Sequence, residues 1–120
     1  MESTPLFDEE ATGRLTSLGG AKFAMDMIDM FFEYADSKLE EGRTALEAGD
    51  IAGVEKAIHP LKTSSGHVGA ARMRDISQEI ERLAPTESTE AIGRLVADLS
   101  EAYLETKPLL EAHRRRIGEQ

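Results

Sequence analysis

Apolar residues recur along this chain at steps of three and four, and glycine or proline closes each stretch they mark. That is the pattern of helices that each bury one face. Five segments follow from it. Asp8 to about Leu18 reads as a short helix: Asp8 can cap its first N–H groups, Glu9 and Glu10 suit its positive end, and Gly19-Gly20 stops it. Gly13 weakens this helix, so it depends on docking. Ala21 to Ala48 is a long second helix, with its buried stripe expected at Phe23, Met27, Met30, Phe31 and Tyr34. Gly49 suits the position just past a helix end and Asp50 suits an N-cap, so residues 48–51 read as a tight helix–helix reversal.

The third helix runs from Ile51 to about Val68. Its inward residues Val54, Ile58, Leu61, Ser65 and Val68 are spaced by 4, 3, 4 and 3, the seam of a helix bundle with one serine in it. The Ser65 hydroxyl can bond back to the Leu61 carbonyl. Gly69 ends this helix. A fourth spans Ala70 to Ala84, with Met73, Ile76, Ile80 and Leu83 inward, and Pro85 stops it. Ser88 can cap a fifth, with Ile92, Leu95, Leu99 and Ala102 inward. Pro108 should kink that helix or end its regular part, and His113-Arg114-Arg115-Arg116 place cations at its negative pole. No β-type alternation is sustained. Short connections between long amphipathic helices make neighbours antiparallel. The expected fold is therefore all-α: an antiparallel up-down-up-down four-helix bundle with a short extra N-terminal helix, in a single domain over residues 1–120.

Composition narrows the chemistry. The absence of cysteine removes disulfides, thiolate metal sites and thiol nucleophiles. A net charge of −9 argues against a nucleic-acid binder, which needs a basic face. No apolar run is long enough to span a bilayer, and the N-terminal MESTPLFDEE has neither a basic nor an apolar signal region, so a cytoplasmic location is the expectation. No metal site is expected. His59 and His67 are eight residues apart, about 12 Å along a helix, too far to share an ion. The chain also lacks a Walker-type phosphate loop and a serine-nucleophile motif.

One segment carries chemistry: IHPLKTSSGH, from Ile58 to His67. Ile58 lies on the buried stripe, so His59 is turned about 100° away from it, to the flank of the bundle. Lys62 and Thr63, three and four residues on, neighbour it on the helix surface, and Gly66 lies two turns along. A neutral imidazole can attack phosphorus near neutral pH. The phosphoryl group it gains carries about two negative charges, which a compact ammonium such as Lys62 can offset. Gly66 leaves room for an approaching protein. Pro60 and Gly66 both break helix rules beside this histidine, and such violations collect at functional sites. On spacing alone, a single helix histidine is more often structural.

The run His59-Pro60-Leu61-Lys62-Thr63-Ser64-Ser65-Gly66-His67-Val68-Gly69-Ala70 resembles the signature of histidine phosphotransfer (HPt) domains. Leu6-Phe7-Asp8, Leu18-Gly19-Gly20 and Ala48-Gly49-Asp50 resemble further landmarks of that family. The resemblance implies that His59 accepts the phosphoryl group through Nε2 and that Lys62 stabilises it. It places Gly66 beneath a docking surface. Thr63 stands where the family usually has glycine; it adds bulk near the site and can either supply a hydroxyl to the phosphoryl group or narrow the choice of partner. Some members add a polar group from the following helix, for which Gln78 and Arg82 are the nearest candidates. The implied partners are receiver domains of a response regulator and of a hybrid histidine kinase, which bring the phosphoaspartate and Mg²⁺; the chain itself needs no cofactor. The docking surface is expected around Leu15, Leu18, Met25, Glu55, Lys56, Gly66 and His67. In this reading the chain is a monomeric carrier and not a kinase, since 120 residues leave no room for an ATP-binding domain. A binding module on the same bundle that takes up no phosphate is the competing reading. A dimerising kinase phosphoacceptor domain is disfavoured by Pro60, because such domains carry an acidic residue directly after the histidine.

Overall fold

The computed structural model describes residues 4–119. It contains four α-helices in the order α1 Glu10–Glu47, α2 Ile51–Val68, α3 Ala71–Leu83 and α4 Thr89–Gly118, with no strand among the described residues. Each of α1 and α3 packs against both α2 and α4. With short connections, that adjacency gives the antiparallel up-down-up-down bundle. A 30-residue α4 spans about 45 Å, and the molecule is 47 Å long.

The ends of the helices are set by the residues expected to set them. The Asp50 carboxylate accepts from the Gly53 N–H at 2.9 Å, and the Ser88 hydroxyl from the Ala91 N–H at 3.1 Å. Asp8 accepts from the Glu10 N–H at 3.1 Å. Gly69 closes α2 at φ 85°, a left-handed conformation that costs glycine no strain. Gly20 does the same inside α1: at φ 92° and ψ 178° it breaks the helical path, so the short first helix and the long second one are two arms of α1 joined at a kink. The first arm closes the end of the bundle. The Asp8 N–H donates to the Gly69 carbonyl at 2.7 Å, Ala11 and Leu15 enter the core, and the Thr12 hydroxyl meets His113 Nδ1 of α4 at 3.2 Å. Phe7 packs its ring edge-on against the same histidine.

Three expectations need correction. The core register of α1 is Ala24, Ile28, Phe31, Ala35 and Leu39, whereas Phe23, Met30 and Tyr34 are exposed and Met27 is half-buried. Small alanines face the core because they let α1 approach its neighbours, and the larger apolar residues sit on one flank. Pro108 does not end the last helix; α4 continues ten residues past it. Pro108 and Leu104, whose carbonyl loses its helical partner, are both exposed, so water can satisfy the gap. The Ser65 hydroxyl, buried in the core, has no partner; Ser64 instead bonds back to the Pro60 and Leu61 carbonyls at 3.3 and 3.4 Å.

Candidate functional site

Helix α2 sorts the motif into two faces. Val54, Ile58, Leu61, Ser65 and Val68 are fully buried and anchor it. His59, one residue past Ile58, has 65% of its side-chain surface exposed, although its backbone sits in the middle of a rigid helix. Pro60 is accommodated within α2, which runs uninterrupted from Ile51 to Val68. The carbonyl it orphans belongs to Lys56, an exposed residue that water can reach.

His59 is not alone. Its Nδ1 is within hydrogen-bond distance of a Glu81 carboxylate oxygen from α3. The other oxygen of that carboxylate pairs with Lys62 Nζ at 2.7 Å. Glu81 is only 17% exposed, held in the groove between α2 and α3 next to Ile80 in the core. Burial pushes its carboxyl up, but the bonds from Lys62 and His59 outweigh this and hold it below its ordinary 4.5. The site is therefore an exposed imidazole and an ammonium bridged by one ionised carboxylate, carried on two packed helices.

The residue of α3 that meets the imidazole is Glu81, and not Gln78 or Arg82. Gln78 is exposed one turn from Glu81, and Arg82 is turned outward, bonded to Glu79. The register of the α2–α3 pair decides the matter: the Arg74 side chain lies against Gly66, as Glu81 lies against His59. A consistent antiparallel register then puts Gln78 level with Lys62, one turn from the imidazole. A sequence signal for Glu81 existed. His59, Lys62 and Glu81 each follow a core residue directly (Ile58, Leu61 and Ile80), so each is turned by the same angle from the seam. On adjacent antiparallel helices those flanks face one another.

The other expected residues divide. Thr63, Lys56 and His67 are exposed on the outward side of α2, and Glu55 and Gly66 are half-buried. Leu18 is 79% exposed beside the α1 kink. Leu15 is buried in the core and offers nothing to a partner. Met25 packs toward Gly118 at the end of α4, away from α2. Missed in the sequence is the exposed apolar strip of α1, Phe23, Met30 and Tyr34. Asp29, Phe32 and Asp36, on one flank of α1, bond Arg114 and Tyr103 of α4. The strip lies on the opposite flank, shared with Ala45, which adjoins Gly53 of α2. It therefore lies on the α2 side of α1, away from α4. Among the described residues no group of acidic and histidine side chains could hold a metal ion, and no helix is long and apolar enough to cross a membrane.

Comparison with known proteins bears on the fold and the family. The structure is similar to that of histidine-containing phosphotransfer protein B from Pseudomonas aeruginosa, with a TM-score of 0.84 and 22% identity over 95% of this chain and 98% of that one. In sequence it is similar to Multistep phosphorelay regulator 1 of Schizosaccharomyces pombe, 26% identical over 77 residues, which are 64% of this chain and 26% of that protein. It is also similar to Phosphorelay intermediate protein rdeA of Dictyostelium discoideum, 24% identical over 94 residues, 78% of this chain and 37% of that protein. The chain thus spans well under half the length of these two curated relatives. The Hpt domain family matches residues 26–113, which include the whole of α2 and α3. The chain belongs to the Hpt domain family.

Proposed function

We propose that this protein carries a phosphoryl group on His59 between receiver-domain aspartates of a two-component phosphorelay. The observation that carries the reading is the exposed His59 imidazole, fixed on a rigid helix with Lys62 beside it. Nucleophile and counter-charge stand on one surface that a second protein can cover. The chain supplies a relay group and no ATP chemistry; the phosphodonor is the aspartyl phosphate of a receiver, with the Mg²⁺ of that receiver. Thr63, one turn from His59 and exposed, is placed to give its hydroxyl to the bound phosphoryl group.

The docking surface runs from His59 across the outward face of α2, through Lys56, Thr63 and His67, to the apolar strip Phe23, Met30 and Tyr34 of α1. An apolar patch with a polar rim is the usual anatomy of such an interface. Basic groups near His59 matter because the molecule as a whole is acidic. The bundle closes its core within one chain, so it acts as a monomer, in the cytoplasm.

A receiver domain charged with radiolabelled phosphate tests this. Mixed with the protein, it should lose its label to a product that is acid-labile and base-stable, the signature of phosphohistidine. ATP alone should leave the protein unlabelled. His59→Gln should keep its helical signal and accept nothing. If that variant still takes up label, His59 is not the acceptor; if it binds the receiver as the native protein does and neither takes label, the domain is a binding module.

A further inference from the structure

We propose that the groove between α3 and α4 is a second docking site, fitted to a basic amphipathic helix of a partner protein. The inference stands apart from the phosphotransfer reading and needs nothing from it. The floor of the groove is apolar: Ile76 and Leu83 of α3 and Ala91, Leu95 and Ala102 of α4 line it. Residues 76 and 83 are seven apart, as are 95 and 102, so each pair rises two turns along one helix face. That is the spacing of a seam into which a third helix packs its own side chains. Ile76, Leu83 and Leu95 read as core residues in the sequence, yet in the structure each is only half-buried. The bundle leaves their outer surface uncovered. The groove holds about 1040 Å³ and is open along its length, which suits a chain segment better than an enclosed small molecule.

Charge says what covers it. Five carboxylates rim the groove: Asp75 and Glu79 on α3, and Asp98, Glu101 and Glu105 on α4. Two guanidiniums, Arg72 and Arg94, line it with them, and both are engaged, Arg72 with Glu105 at 3.8 Å and Arg94 with Glu90 at 3.5 Å. Among the described residues no cation pairs with Asp98 or Glu101, both exposed on α4. An acidic helix would be repelled here, and a neutral one would leave the rim unmatched. A helix with large apolar residues on one face and lysine or arginine beside them meets both the floor and the rim. The 13 residues of α3 give about 20 Å of groove, room for about four turns of such a helix.

The groove is separate from the surface around His59. Each of α1 and α3 packs against both α2 and α4, so the α3–α4 groove lies across the bundle from the α1–α2 face. On α3 itself, Glu81 meets His59 and Glu79 lines the groove. Two residues along a helix turn the side chain by about 200°, so the two sites use opposite flanks of α3. A helix seated in the groove thus leaves His59 and the outward face of α2 free for another protein.

A fluorescein-labelled peptide of about 14 residues, with leucine on one helical face and lysine on the other, tests the proposal at physiological salt. So short a peptide is marginally helical alone. With the native protein it should gain helical signal and shift the NMR signals of the Ile76, Leu83 and Leu95 methyl groups. Asp98→Lys combined with Glu101→Lys should weaken binding at least about tenfold, with the helical signal of the bundle intact. Glu33→Lys combined with Glu47→Lys changes the net charge equally, at exposed positions of α1 outside the groove, and should weaken binding no more than about twofold. The same peptide with glutamate in place of lysine should not bind. Failure of the lysine peptide to bind, or shifts centred on Phe23, Met30 and Tyr34, overturns the proposal. Equal losses from the two double variants also overturn it, by reducing the binding to overall charge. So does a dimer of the native protein, seen by sedimentation, that Asp98→Lys with Glu101→Lys dissolves, because the groove then takes a second copy of this chain. Phosphoryl transfer from a receiver should be the same in the native protein and the groove variant, so failure of either claim is distinguishable from failure of the other.

Discussion

At the scale of single residues, what could be read from the sequence was what lies on one helix. His59 and Lys62 are three apart on α2, and their shared flank follows from helical geometry alone. Glu81 was not read, because its position depends on how α2 and α3 slide past each other, and residues 78–82 all lie at about the right distance from the Gly69 turn. Core burial of Ile80 settles it: the residue after Ile80 points into the groove. The depressed Glu81 carboxyl makes a prediction with a definite sign. A group whose folded pKa lies below its unfolded value contributes its stabilisation above the unfolded value and loses it as pH falls through the folded one. The ionised Glu81 carboxylate should therefore keep its full contribution down to about the ordinary 4.5 and lose it only below that value. Following the Glu81 carboxyl carbon by NMR from pH 7 to pH 3 should show a midpoint under 4.5. A midpoint at or above that value would mean that the two cations do not outweigh the burial.

At the scale of elements, the ends of helices were far more legible than their faces. Asp50, Gly69 and Ser88 act locally, through one hydrogen bond or one backbone angle, so their roles can be read without knowing the fold. The face of α1 could not be read this way. Two candidate stripes run along it, one of large apolar residues and one richer in alanine, and the close approach of neighbouring helices selects the second. Gly69 does more than end α2. A Cβ there would collide with the Asp8 carbonyl and press on Ala11, so the glycine also seats the first arm of α1. Gly69→Ala should therefore destabilise the protein by at least about 1–2 kcal/mol, from the left-handed backbone alone. Thermal unfolding checks the size, and hydrogen exchange should show residues 8–18 losing protection first. A melting temperature equal to that of the native protein would show that this contact holds nothing.

At the scale of the whole molecule, the two flanks of α1 differ in how they are covered. The α4 side of α1 is tied down by the bidentate Arg114–Asp29 pair at 2.7 and 2.8 Å and by Tyr103, which bonds the Asp36 carboxylate and the Phe32 carbonyl. The α2 side leaves Phe23, Met30 and Tyr34 uncovered. Two exposed residues on different sides separate docking from general surface effects: Met30, 62% exposed on the strip, and Leu104, 70% exposed on the outer face of α4. Met30→Glu should raise the receiver concentration needed for half-maximal transfer about tenfold or more, with the helical signal intact. Leu104→Glu should leave transfer unchanged. Equal effects from both variants would place the docking surface elsewhere.

His59 is the one imidazole proposed to carry phosphate, although the chain has two other histidines. They differ in setting: His67 is exposed at the end of α2, and His113 is half-buried between Phe7 and Thr12, where burial and the Arg116 charge push its pKa down. Peptide mapping of the native protein by mass spectrometry, straight after phosphotransfer from a labelled receiver and without acid treatment, distinguishes the three. The phosphoryl group should be found on the peptide containing residues 57–62, on His59 and nowhere else. Its recovery on His67, on His113 or on a residue other than histidine would show that His59 is not the acceptor.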